Sequence, residues 1–171
     1  MKKIIVYLLM ILLLTGCSNS SSVYNTKLQR YNAYYTSILN NDTFQAGSDH
    51  FDISSVISKL SETQYRYDVY VDGPRIAMYD VQIMVIENNQ TLEISKSMMP
   101  TVGVFDDIEY DLIPYQVNMS EGYVKGFNLN AVVVNPSVSL KVLVVWKDYA
   151  KVNQYREYFT FSLDFNQQVN S

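Results

Sequence analysis

One histidine, His50, and one cysteine, Cys17, are all that the 171-residue chain offers for thiol or imidazole chemistry. Acyl transfer needs a nucleophile with a base positioned beside it. His50 falls in an expected loop, and no Gly-x-Ser-x-Gly turn exists to supply its serine. The expectation is a surface histidine, no catalytic residue and no enzyme. One histidine and no spare thiol also leave few ligands for a transition metal. The densest polar run is Asp106-Asp107-Ile108-Glu109-Tyr110-Asp111. As a strand it would place Asp107, Glu109 and Asp111 on one face, where a hard cation such as Ca²⁺ would relieve their repulsion. Those three are the candidate metal ligands. The Asp-x-Asp-x-Asp-Gly pattern is absent, however, and an extended strand spaces ligands too widely for one ion. A solvated acidic edge that discourages edge-to-edge pairing is the preferred reading, with no metal and no calcium expected. For glycoside hydrolysis nothing selects a pair among the carboxylates.

Tyrosine is the outlier in composition, with fifteen residues. Its ring gives apolar area and its hydroxyl a polar tip, a combination suited to recognising protein or sugar. Tyrosine also simply favours strands and half-buried faces. Tyr70, Tyr110, Tyr115, Tyr149, Tyr155 and Tyr158 fall near expected strand ends or on mixed faces. The binding candidates are Tyr34, Tyr70, Tyr115 and Tyr158.

Cys17 has a different chemistry. Lys2 and Lys3 precede an apolar run from Ile4 to Leu14, which ends in Thr15, Gly16 and Cys17. Eleven residues rise about 16 Å as a helix, against roughly 30 Å of bilayer hydrocarbon, so the run suits a signal peptide rather than a span. Leu14-Thr15-Gly16-Cys17 resembles the lipobox of bacterial lipoproteins. That resemblance implies diacylglycerol on the Cys17 sulfur and cleavage just before it by signal peptidase II. It covers the N-terminus only. Two acyl chains hold stably where one holds marginally. Ser18 to Ser22 then read as a short flexible tether.

The precursor's formal charge is −4. Loss of residues 1–16 removes Lys2 and Lys3, leaving eleven basic against seventeen acidic side chains, or −6. With no basic run, that surface repels phosphate backbones, and nucleic acid is excluded as a partner.

Tyr24, Leu28, Tyr31, Tyr35 and Ile38 recur at helical spacing, predicting a helix over 24–41 packed on the domain. Tyr34 falls off that stripe and is expected to be exposed. Val56, Ile57 and Leu60 after Asp52 predict a second short helix over 53–60. From Tyr65 onward the period is two. Runs at Tyr65–Val71, Tyr79–Val85, Tyr123–Val133, Leu140–Trp146 and Phe159–Phe165 are broken by Asp72-Gly73-Pro74, Asn88-Asn89 and Asn135-Pro136. Leu140–Trp146 is apolar on both faces, as a central strand would be.

The fold expected is mainly β: an antiparallel two-sheet sandwich of about seven strands, immunoglobulin- or fibronectin-like, preceded by one or two N-terminal helices. A small barrel is the alternative. The domain reading is a signal peptide over 1–16, lipidated cysteine and tether over 17–23, a helical segment over 24–61 and the sandwich over 62–167. No cofactor is expected beyond the diacylglycerol on Cys17.

The function expected is a lipid-anchored lipoprotein on the extracytoplasmic face of the cell membrane, acting as a non-enzymatic module. Its possible partners are an envelope protein or a cell-wall glycan. The alternatives are a carbohydrate-binding sandwich using exposed tyrosines, and an envelope hydrolase. The abundance of asparagine, tyrosine and isoleucine, with a short lysine-led signal, favours a Gram-positive host.

Overall fold

A computed structural model describes residues 19–168 apart from 94 and 96. The lipobox and Cys17 lie outside the described residues. A helix, α1 (Asn19–Leu39), is followed by seven strands: β1 (Asp52–Lys59), β2 (Tyr65–Asp72), β3 (Tyr79–Glu87), β4 (Thr101–Val102), β5 (Gly126–Val133), β6 (Ser137–Lys147) and β7 (Gln154–Asp164). A single helical turn, α2 (Phe165–Gln168), follows. Two antiparallel sheets form, β1-β2-β5 and β4-β3-β6-β7.

Strand alternation builds the sandwich core. Tyr67, Val69 and Val71 of β2 face Val81, Ile83 and Val85 of β3 and Leu140, Val142, Val144 and Trp146 of β6. The intervening residues point the other way. Met84, Ile86, Leu143 and Val145 lie on the outer face of the four-stranded sheet, where Tyr31, Tyr34, Tyr35 and Ile38 of α1 cover them. Both faces of β3 and β6 are therefore buried, the physical reason Leu140–Trp146 carries no polar face. The molecule has three layers: helix, four-stranded sheet, three-stranded sheet.

Several expectations are corrected. The helix expected over 53–60 is replaced by strand through Lys59: β1 pairs with β2 along its whole length, with Ile53, Ser55 and Ile57 opposite Val71, Val69 and Tyr67. The β-branched Ile53, Val56 and Ile57 favour that outcome. The sandwich therefore starts at Asp52, not residue 62. The helix starts at Asn19, so most of the expected tether is helical. Tyr34 is buried, at 5% exposure, and Tyr24 is exposed, at 55%. The buried stripe is wider than supposed, taking 31, 34, 35 and 38, and the helix leaves the sheet before its first two turns. Asp106–Asp111 is loop with isolated bridges rather than a strand. The strand expected over Tyr123–Val133 begins at Gly126, and the last ends at Asp164, with Phe165 opening α2.

Candidate functional site

Three chain segments meet at one end of the sandwich: the β2–β3 loop (73–78), the long β4–β5 connection (103–125) and the β6–β7 loop (148–153). Antiparallel pairing brings them there, because β3 and β7 both begin opposite the end of β6, at Lys147. Hydrogen bonds then fasten the segments together. Met78 and Leu112 exchange backbone hydrogen bonds at 2.9 and 2.8 Å. The Asp111 carboxylate accepts the Asp80 N–H at 3.0 Å, and Asp80 in turn accepts from Gln82 Nε2 at 3.0 Å and from Lys147 Nζ at 2.7 Å. Lys151 pairs with Glu109, tying the β6–β7 loop to the long connection. That carboxylate holds the Lys151 ammonium above its ordinary range, against a smaller opposing effect of desolvation.

The β6–β7 loop is folded around Asp148. Its carboxylate accepts from Asn153 Nδ2 at 2.6 Å, from the Val152 N–H at 3.0 Å and from the Asn153 N–H at 3.3 Å. Chiefly through the Asn153 amide, this keeps the carboxyl below the usual carboxylate range. Tyr149 rests edge-on against Tyr79, ring centroids 5.7 Å apart, and still exposes most of its ring.

Tyr115 stands out from this scaffold. The Gln116 N–H donates to Ile113 O at 3.2 Å, closing a turn with Pro114 and Tyr115 at its centre. Proline at the first central position and positive φ at the second is the pattern of a type II turn, where glycine is the ordinary choice. Here Tyr115 takes φ +63°, and its side chain is wholly in solvent at 107% exposure. Beside it lies an open groove of about 660 Å³ between residues 72–75 and 113–117, with Ile113, Pro114 and Val117 as apolar wall and Lys125 at the rim. Lys125 makes no ion pair among the described residues. Val117, Met119 and Val152 add further exposed apolar side chains on these segments.

The other candidates disperse. Tyr34 is sealed under α1, its hydroxyl donating to Gln82 Oε1 at 2.5 Å, and burial pushes that hydroxyl above its ordinary range. Tyr70 is half-buried on the outer face of β2 between Ser54 and Asn128. Tyr158 is half-buried against the α1 cluster. The three acids are divided among separate partners: Asp107 on Lys27 at 2.5 Å, Glu109 on Lys151, and Asp111 on the Asp80 N–H. Lys27 holds the Asp107 carboxyl below the usual range, first by its hydrogen bond and then by its charge. Among the described residues no cluster of three or more such ligands could hold a metal ion. His50 lies edge-on to Trp146, with Nε2 3.8 Å from Glu157. Of the four candidate tyrosines, the structure places only Tyr115 in this surface. Sequence reasoning left out Val117, Met119, Val152 and Lys125; the Ile-Pro-Tyr-Gln turn was the one signal pointing to them.

Residues 1–18 match the family model for the prokaryotic membrane lipoprotein lipid attachment site. The chain carries a lipobox-type signal. It marks a membrane-anchored, extracytoplasmic lipoprotein, and Cys17 is the cysteine within the matched span. No helix among the described residues is long and apolar enough to cross a membrane. No curated protein and no solved structure matches the chain.

Proposed function

We propose that the protein is a non-enzymatic binding module, held by diacylglycerol on Cys17, that presents its loop end to another protein of the envelope. The observation that carries this is Tyr115. A side chain with a Cβ in the left-handed region costs about 1–2 kcal/mol relative to the right-handed one, and glycine would avoid it. The chain keeps a tyrosine there, wholly exposed and beside an apolar groove. Local strain spent on an exposed aromatic supports a role in contact with a partner.

The strand order supports an immunoglobulin- or fibronectin-like reading of the sandwich. In the usual lettering β1, β2 and β5 correspond to A, B and E, and β3, β6 and β7 to C, F and G, with β4 alongside C. The B–C and F–G loops of such folds, here 73–78 and 148–153, are common recognition elements. The groove's apolar wall and Lys125, which has no ion pair among the described residues, favour a protein segment with an apolar side chain and a nearby carboxylate. A glycan is less well supported, because the groove wall is the aliphatic Ile113, Pro114 and Val117, with Tyr115 the one aromatic among its lining residues. The composition supports a Gram-positive host. A partner confined to the same membrane layer gains effective concentration from the anchor, so moderate affinity suffices.

Site-specific photocrosslinking in the native host tests the proposal. A crosslinker at position 115 should capture a defined protein, and one at Asn130, on the outer face of the three-stranded sheet, should not. Tyr115→Ala should weaken the captured complex by at least about tenfold. Equal capture from both positions, or undiminished binding by Tyr115→Ala, would remove the loop end from consideration.

A further inference from the structure

The placement of α1 relative to the lipid carries a second conclusion. From Leu28 onward the helix is fixed to the domain. Tyr31 Oη accepts the Met99 N–H at 2.9 Å, Tyr35 Oη donates to Gln90 O at 2.8 Å, and Ile38 is fully buried. Lys27 Nζ donates to Phe105 O at 2.8 Å, beyond the end of β4. At its other end the chain leaves α1 and reaches β7, where Gln45 N donates to Tyr158 O at 2.8 Å. The helix therefore crosses the four-stranded sheet from the β4 edge to the β7 edge, and its first two turns project past β4.

Residues 22–26 are all exposed, with Val23 at 52% and Tyr24 at 55%. Only Ser18 separates Asn19 from Cys17, so their Cα atoms lie within about 7 Å however that residue is arranged. Asn19 to Lys27 adds about 12 Å of helix. The Cα of Lys27, whose side chain reaches the loop just past β4, is thus within about 20 Å of the Cα of the lipid-bearing Cys17, nearly all of it spanned by helix rather than loose chain. Where the helix leaves the sheet, exposed Leu92 and Met98 lie beside Leu28, and exposed Ile108 follows Asp107 on the Lys27 side. Tyrosine is well placed at a bilayer interface, its ring among apolar groups and its hydroxyl in water. Glu93, Asp106 and Asp107 around this edge oppose anionic headgroups, so the acyl chains supply the affinity and the helix supplies orientation.

We propose that α1 is a rigid stand-off that turns the β4 edge toward the lipid surface and lays Val23 and Tyr24 at headgroup level. This rests on lipidation of Cys17. The partner of this surface is the bilayer itself.

With Cys17 acylated, an engineered cysteine is the only free thiol in the full-length protein. Nitroxide labels are placed singly at Met98→Cys, beside the β4 edge, and Ser162→Cys, on β7, in lipidated protein reconstituted into phosphatidylcholine–phosphatidylglycerol nanodiscs. Collision-gradient EPR should put position 98 nearer the lipid than position 162 by about 14 Å, the width of three strand spacings. Asn25→Pro breaks α1 within its exposed turns and should abolish that difference while leaving the domain's thermal midpoint unchanged. Mass spectrometry of the N-terminal peptide separates the two claims. Lipid on Cys17 with equal depths at 98 and 162, or a depth difference that survives Asn25→Pro, overturns the stand-off and leaves the anchor standing. No lipid on Cys17 overturns both.

Discussion

Tyr115 sets backbone against side chain. Its φ of +63° suits glycine, and its exposure means that no packing within the domain repays the strain. Replacing it with glycine should therefore raise unfolding free energy, by about 1 kcal/mol at most, because glycine's greater freedom in the unfolded chain offsets part of the relief. The same substitution should abolish partner capture. Urea denaturation of Tyr115→Gly gives the first quantity. A loss of stability would show that the turn is not strained as described. Asp148 offers a second residue-level test. Its folded-state pKa is depressed, so its contribution is complete above the unfolded carboxylate value of about 3.9 and is lost as pH falls through the lower folded value. Asp107 acts in the same direction through Lys27. Thermal midpoints should be insensitive to these groups between pH 7 and 5 and fall below about pH 4. Asp148→Asn should show a shallower acid slope, and a slope identical to the parent's would remove Asp148 from the account.

Among the elements, α1 matters most to the architecture because it closes the second core. Ile38 is fully buried among Met84, Ile86, Leu143 and Val145, and Ile38→Ala should cost about 2–5 kcal/mol in urea denaturation. A loss under about 1 kcal/mol would mean that the helix is only loosely seated. The same elements show where the sequence was readable. In β2, β3, β6 and β7 the alternation is long, and both the strands and the burial of Leu140–Trp146 follow from it. Val56, Ile57 and Leu60 span too few residues to separate one helical turn from an edge strand, and pairing with β2 decided for strand. A narrow helical stripe leaves Tyr34 to solvent, but the sheet beneath is broad enough to bury it. In the candidate site the type and exposure of Tyr115 were within reach of sequence. Its positive φ was not, and neither was the meeting of 73–78, 103–125 and 148–153, which depends on non-local strand pairing. The acidic run alternates as a strand would, but its carboxylates meet Lys27 and Lys151 instead of a neighbouring strand, and it stays loop.

At the scale of the whole molecule, the four-stranded sheet is a wall shared by two cores. Met84 and Ile83 are neighbours in β3 and face opposite cores, as do Val145 and Val144 in β6. Neither cluster can loosen without exposing the back of the strands that hold the other, so the helix and the sandwich should unfold together. The chain carries its own probes. Trp146, the single tryptophan, is 2% exposed in the inner core, and α1 is the only long helix among the described residues, packed on the opposite face. In urea, the Trp146 fluorescence transition and the main far-ultraviolet helix transition should share one midpoint. Only a small early helical loss is expected, from the exposed turns before Lys27. Helix signal lost well before the tryptophan responds would mean that α1 undocks as a separate unit. The sheet would then present Met84, Ile86, Leu143 and Val145 to solvent as an apolar face, and the stand-off would lose the rigid base from which it sets the domain's orientation at the membrane.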